Sequence, residues 1–177
     1  MLRITVSGSP GSGTSTLVEK ICQSRNWSSL NGGRIFRAEA SSRGLSVVEF
    51  SALCKKDLNV DRALDEKLKK ILASPDSPEV VESRLSGWWA HQMGINCLRV
   101  WISVSDEKRA RRIQTREGGE LEERLLESKQ RQDDDNQRYM ELYQIDMSDM
   151  TPYNLVIDSD EIDADEVFRL VSNELGG

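Results

Sequence analysis

The sequence predicts an α/β fold: a five-stranded, mostly parallel sheet between layers of helices. Short apolar runs alternate with helical patterns along the chain. The first run, residues 2–6, enters a glycine-rich turn, Gly8-Ser9-Pro10-Gly11-Ser12-Gly13-Thr14-Ser15, and the turn opens directly into a helical pattern. At 177 residues the chain has the length of one domain able to bury a full α/β core. Strands that alternate with helices pair in parallel and are covered on both faces.

Taken in order, residues 2–6 form the first strand. Residues 14–24 form a helix that carries Leu17, Val18, Ile21 and Cys22 on its apolar side. Residues 27–30 read as a weak strand, Asn31-Gly32-Gly33 as a turn and residues 35–42 as a helix ended by Gly44. Ser46 caps the next helix, with Glu49 completing a capping box. A helix over residues 60–73 follows, with the stripe Leu64, Leu68, Ile71 and Leu72. After the loop at residues 74–78, Val80 and Val81 mark a short strand, and residues 84–91 a helix that packs through Trp88 and Trp89. Leu98, Val100, Ile102 and Val104 alternate as a strand. Asp106 is placed as the cap of a helix that ends at Gly118-Gly119, and a long polar helix covers residues 120–143. Residues 153–157 form the last strand. Asp163 opens a closing helix with Ala164, Val167, Phe168, Val171 and Leu175 on one face.

Composition narrows the function. A net charge of -6 argues against a general nucleic-acid surface, so any basic site is local. Three widely spaced cysteines suit reduced core residues in a cytoplasmic protein. His91 is the single histidine, which argues against a zinc site or a Ser-His-Asp machine. No apolar run is long enough to span a membrane, and a chain that begins in a strand leads us to expect no signal peptide. No large apolar face is left over, so a monomer is expected.

The chemistry is concentrated just after the strands, where parallel sheets bind ligands. The turn Gly8, Ser9, Pro10, Gly11, Ser12, Gly13, Thr14, Ser15, Thr16 has the strand-turn-helix context of a phosphate-binding P-loop. Glycines let several N–H groups point into one concavity at the positive end of a helix. The Ser15 hydroxyl stands where such loops bind the magnesium that travels with a nucleotide. Thr14 occupies the position of the usual lysine. An arginine entering from elsewhere could supply the missing charge. After the second strand, Gly33 and Arg37 could hold a phosphate, or Arg37 could be a surface arginine. After the third, Glu82 could hold magnesium through water and Arg84 a second phosphate, or the two could be a helix cap with a salt bridge. After the fourth, the chain carries Arg109, Arg111, Arg112 and Arg116, of which Arg112 and Arg116 share a helix face. Arg124, Arg131 and Arg138 repeat every seven residues. Glu120, Glu127 and Asp134 stand four residues before them, the order of a solvated i,i+4 ladder. A mobile lid over a phosphoryl-transfer site uses the same residues, and both readings stay open.

These segments together resemble the archaeal type of cytidylate kinase, in the P-loop nucleoside-monophosphate kinase superfamily. The resemblance covers nearly the whole chain. The family typically reads GPPGSGTTT at the glycine-rich loop, so a threonine at position 14 is common there. Its SAGDIFR segment is matched by Asn31-Gly32-Gly33-Arg34-Ile35-Phe36-Arg37. Its EGRLAGW segment is matched by Glu82-Ser83-Arg84-Leu85-Ser86-Gly87-Trp88, and its RIAKREG segment by residues 112–118. Its YGIDIDDLSIYDLVI segment is matched by residues 143–157. The resemblance implies transfer of the γ-phosphoryl of ATP to CMP or dCMP with magnesium. It implies that Arg37 and Arg84 hold the acceptor phosphate and that Arg112, Arg116, Arg131 and Arg138 serve as lid and catalytic-site arginines. It also implies a monophosphate-binding insert at about residues 33–73 and a lid at about 112–140. Asp61, Asp65 and Arg43 are candidates for reading the base. Arg34, Asn31 and Ser83 depart from the family pattern near the acceptor site, and Glu66-Lys67 replaces an arginine pair. A kinase of another monophosphate or small metabolite, or a nucleotide-binding protein without turnover, are the competing readings.

Overall fold

The computed structural model describes residues 1–176. Its single sheet runs β2 (Ser29–Asn31), β3 (Val80–Glu82), β1 (Ile4–Gly8), β4 (Leu98–Ser103), β5 (Leu155–Asp158), and every pairing in it is parallel. β1 is central. It aligns Val6 with Glu82 on one side and Val100 on the other, so the loops after β1, β3 and β4 leave the same edge.

Period-two alternation divides the core. Ile4, Val6, Val100, Ile102 and Ile157 face α1 (Thr14–Arg25) and α8 (Ala164–Glu174), meeting Leu17, Ile21, Val167 and Val171. Leu2 and Val81 belong to the opposite face. They pack with Leu85, Trp89 and Ala90 around α5 (Ser86–Gln92), with Leu68 and Leu72 of α4 (Leu58–Ala73), and with Tyr139 of α7 (Leu121–Tyr143). Each fully buried large apolar side chain contributes about 1.5–3 kcal/mol of transfer free energy. Both faces of the central strands are covered, as a parallel sheet requires.

A third, smaller cluster joins α2 (Gly32–Ser42), α3 (Val47–Lys56) and α4 through Ala40, Phe50, Cys54 and Val60. Phe36 and Phe50 meet at 4.8 Å between ring centroids. The Ser46–Glu49 capping box forms at the start of α3, and Asp163 caps α8.

Three local expectations change. Asn31 ends β2 and caps α2 by accepting from the Arg34 N–H at 3.2 Å, so the glycines expected in a turn form the first residues of a helix. Asp106 is not the cap of α6 (Asp106–Glu117). It is the first helical residue, and its carboxylate accepts from buried Arg109 instead. The i,i+4 ladder on α7 does not form among the described residues. Arg124 pairs with Glu123 and Glu127, Arg138 with Asp135 and Asp61, and Asp134 with Lys55 of α3. Burial explains the change. One side of α7 is drawn against α4 and the sheet, so partners come from other elements as well as from the next turn. None of the described helices is long and apolar enough to cross a membrane.

Gly87 lies beneath Tyr153, and a Cβ there would sit 2.3 Å from the Tyr153 ring. Gly87→Ala is expected to lower the unfolding free energy by about 1–3 kcal/mol, the usual cost of overpacking a core, measured as a lower urea midpoint at unchanged m-value.

Candidate active site

The glycine-rich loop spans from the end of β1 to the start of α1. Gly11 and Gly13 take φ values of 82° and 93°, in the left-handed region where a side chain is strained. Gly13 is the N-cap of α1 and provides no side chain, so the first-turn N–H groups of that helix are open to an anion.

The adjacent β3 brings Glu82 to this loop. Its Oε1 accepts from Thr14 Oγ1 at 2.7 Å and Ser15 Oγ at 2.8 Å, and its Oε2 accepts from Asn31 Nδ2 at 2.6 Å. The Glu82 side chain is buried, and Asn31 reaches it because β2 runs beside β3 in register, Asn31 opposite Glu82. Thr14, at the lysine position, therefore points toward a carboxylate. Ser15 and Glu82 are hard oxygen donors side by side, a donor set suited to magnesium.

Two arginines of α6 lie against the loop. Arg112 Nη1 donates to the Ser12 carbonyl at 3.0 Å and the Gly11 carbonyl at 3.4 Å. Arg109, only 1 % exposed, donates to the Pro10 carbonyl at 3.4 Å. Arg84, in the loop after β3, donates through Nη1 to the Gly8 carbonyl at 2.9 Å. Its Nη2 lies 3.1 Å from Asp135 Oδ2 on α7. Burial pushes the Arg84 guanidinium below its ordinary range, and the Asp135 carboxylate opposes that shift.

The chain of charges continues into α4. Arg138 Nη2 donates to Asp135 Oδ1 at 2.8 Å and to the Tyr139 hydroxyl at 3.2 Å. Arg138 Nε and Asp61 Oδ2 lie 3.0 Å apart as an ion pair without hydrogen-bond alignment. Burial raises the Asp61 pKa, and Arg138 counters it. One turn along, Asp65 accepts from the Tyr143 hydroxyl at 2.7 Å. Burial pushes the Asp65 carboxyl up to about 6. A cavity of about 150 Å³ opens between the loop and α7, bordered by Ser9, Arg84, Trp101, Gln132, Asp135 and Asn136 among others.

The site residues expected from sequence thus fall into three sets. Gly8 through Thr16, Glu82, Arg84 and Arg112 converge directly. Asp61, Asp65 and Arg138 join through Asp135 and Tyr143. Arg37, Arg116 and Arg131 are exposed and touch neither the loop nor Glu82; Arg116 pairs with Glu117, and the Arg37 guanidinium folds back over Gly33. Sequence reasoning did not assign Asn31, Asp135 or Tyr143 to the site. Asp135 carries one legible signal, its i,i+3 spacing to Arg138. The contacts that bring Asn31 to Glu82 and Arg109 to Pro10 span 51 and 99 residues and leave no local trace.

A phosphate-binding loop, a strand-end carboxylate on its hydroxyls and a ring of arginines define a P-loop phosphotransferase. Residues 7–141 match the AAA domain family. Curated cytidylate kinases are similar over most of their length. That of Haloarcula marismortui is 38% identical over 156 residues, covering 88% of this chain and 80% of that one. That of Archaeoglobus fulgidus is 35% identical over 170 residues, covering 96% and 92%, and that of Methanospirillum hungatei 33% over 175 residues, covering 98% and 96%. The fold recurs in a shikimate kinase from Bacteroides thetaiotaomicron, with TM-score 0.64 and 15% identity over 98% of both chains. It recurs also in a gluconokinase from Sinorhizobium meliloti, with TM-score 0.61 and 18% identity over 98% and 91%. The chain belongs to the cytidylate kinase family of P-loop kinases.

The Asp65 pKa of about 6 lies above the ordinary value of 3.8, so the folded protein holds this proton more tightly than the unfolded chain does. The stability of wild type relative to Asp65→Asn is expected to be highest below about pH 4 and to fall as pH rises through about 6. Urea unfolding of both proteins between those limits measures it.

Proposed function

We propose that this enzyme transfers the γ-phosphoryl group of ATP to the phosphate of CMP or dCMP, giving ADP and CDP or dCDP. The observation that supports this most directly is the convergence of Ser15, Glu82 and Arg84 on one phosphate-binding loop, in a chain of this family. The chemistry forms a bond from an acceptor phosphate oxygen to the γ-phosphorus and breaks the bond to the β,γ-bridging oxygen, leaving ADP. The acceptor is already an anion, so no residue has to remove a proton. The protein's work is positioning and electrostatic stabilisation.

The open N–H groups of the loop hold the ATP phosphates. Ser15 and, through water, Glu82 would hold magnesium, which would supply positive charge to neutralise the phosphates. Arg84, with its backbone anchor on Gly8, grips the acceptor phosphate. Arg112 lies against the loop and is the lid arginine placed to compensate for the absent lysine. Each such donor typically contributes roughly a hundred- to a thousandfold to the rate. Arg116 and Arg131, on the exposed surface of the α6–α7 pair, and Arg37, in the middle of α2, reach the nucleotides when that pair and the α2–α4 segment close. That division assigns residues 33–73 to acceptor binding and 112–140 to a lid. Asp61 and Asp65 face the acceptor from α4 and read the base. On this reading the enzyme works as a monomer in the cytoplasm.

A coupled ADP-release assay with ATP and magnesium is expected to give the highest kcat/KM with CMP or dCMP among CMP, dCMP, UMP, AMP and GMP. Preference for another monophosphate would move the base assignment and keep the phosphate sites. Arg84→Ala is expected to raise the acceptor KM by roughly tenfold or more while changing the ATP KM little; equal losses for both nucleotides would remove its assignment to the acceptor.

A further inference from the structure

Asp135 holds a position that the proposed reaction does not account for. Its two carboxylate oxygens engage two different arginines: Oδ2 lies 3.1 Å from Arg84 Nη2, and Oδ1 accepts from Arg138 Nη2 at 2.8 Å. One planar anion thus bridges two guanidinium groups, the contact that a phosphate makes with such a pair. All three side chains are largely shielded from water, with 14% of Asp135, 20% of Arg84 and 17% of Arg138 exposed. With Asp61 on the far side of Arg138, two cations face two carboxylates, and the cluster is neutral.

That neutrality bears on any phosphate that comes to Arg84. A phosphate monoester carries about -1.5 to -2 charges at neutral pH. Adding it to a balanced buried cluster leaves uncompensated negative charge, which is costly in a shielded site. Displacing one carboxylate removes one unit of that excess. The cavity of about 150 Å³ borders both Arg84 and Asp135, so there is room beside the ion pair for an incoming group or for a displaced carboxylate. In its absence the two arginines would be left without a counter-ion between them. Asp135 therefore satisfies them in the empty protein.

We propose that Asp135 is an internal occupant of an anion subsite formed by Arg84 and Arg138, a carboxylate that the phosphate of the acceptor displaces. This rests on the reading that Arg84 grips the acceptor phosphate. Asp135 preorganises the two arginines before binding, and the cost is a weaker hold on the ligand. Return of the carboxylate then assists release of the phosphorylated product. Asp135 is a positioning residue and takes no part in bond making.

The test is calorimetric titration of inorganic phosphate, without magnesium, into the full chain as wild type, Asp135→Asn, Arg84→Gln and the double variant. Each protein is first checked for cooperative thermal unfolding. Phosphate bound at the glycine-rich loop contributes to all four and cancels in the cycle. Asp135→Asn is expected to tighten phosphate binding by roughly ten- to a hundredfold, and the gain is expected to vanish when Arg84 is also replaced. Unchanged or weaker binding in folded Asp135→Asn, or a gain that survives Arg84→Gln, overturns the proposal. Should the variant fail to fold, wild-type protein labelled with ¹³C at its aspartate carboxyls carries the test. The Asp135 carboxyl resonance is expected to shift on phosphate titration, and a resonance that stays still at saturation overturns the proposal. Inorganic phosphate has no base, so these results are independent of nucleotide choice. Failure of the cytidylate reading registers in the acceptor screen, and failure of the Arg84 assignment in the acceptor KM of Arg84→Ala.

Discussion

Parallel pairing of β1 with β3 on one side and β4 on the other is the constraint on which the rest of this molecule depends. It sends three chain segments out of one sheet edge. The loop after β1 becomes the proposed phosphate cradle, and Glu82 at the end of β3 reaches the hydroxyls of Thr14 and Ser15 within 2.8 Å. The segment after β4 starts α6, whose Arg109 and Arg112 donate to carbonyls of the same cradle. A one-residue slip of β3 would turn Glu82 to the other face of the sheet, because side chains alternate along a strand. The buried apolar pattern of Val80 and Val81 opposes such a slip.

The second level of organisation is electrostatic. Arginines gather at the edge of this acidic chain, and three shielded ones are matched by carboxylates. Arg109 is matched by Asp106, Arg84 by Asp135, and Arg138 by Asp135 and Asp61. Unpaired charges so far from water would each be strongly destabilising. The matching also ties α7 to α4 and α3, through Arg138–Asp61, Tyr143–Asp65 and Lys55–Asp134. The helix carrying the arginines of the proposed lid is thus linked to the segment proposed to bind the acceptor.

Much of this was legible in the chain itself. The strand-turn-helix context of Gly8 to Ser15 is local, and local chemistry dictates it. Glycine permits the left-handed turns at positions 11 and 13, and the apolar residues of α1 follow the helical period. The Ser46–Glu49 and Asp163 caps are likewise local, set by side chains reaching N–H groups three residues or fewer away. Glu82 and Arg84 could be marked because ligands of parallel sheets bind at strand ends. The long polar helix was legible as a helix but not as a set of contacts. The spacing of Arg124, Arg131 and Arg138 suggests a solvated ladder, whereas packing draws Arg138 inward to Asp61 and leaves Arg131 exposed.

The sequence by itself determined the fold class, the glycine-rich strand-to-helix loop, the family and most of the residues that gather at the site. These rest on periodicity, turn chemistry and short motifs, whose physical causes act within a few residues. Only the tertiary structure decided which charges meet. Asn31 joins Glu82 across 51 positions, Arg112 reaches Ser12 across 100, and Asp135 stands between Arg84 and Arg138. Pairings of this kind depend on how sheet and helices stack, and on the free energy of leaving a buried charge without a partner. Neither quantity is written in any local stretch of the chain.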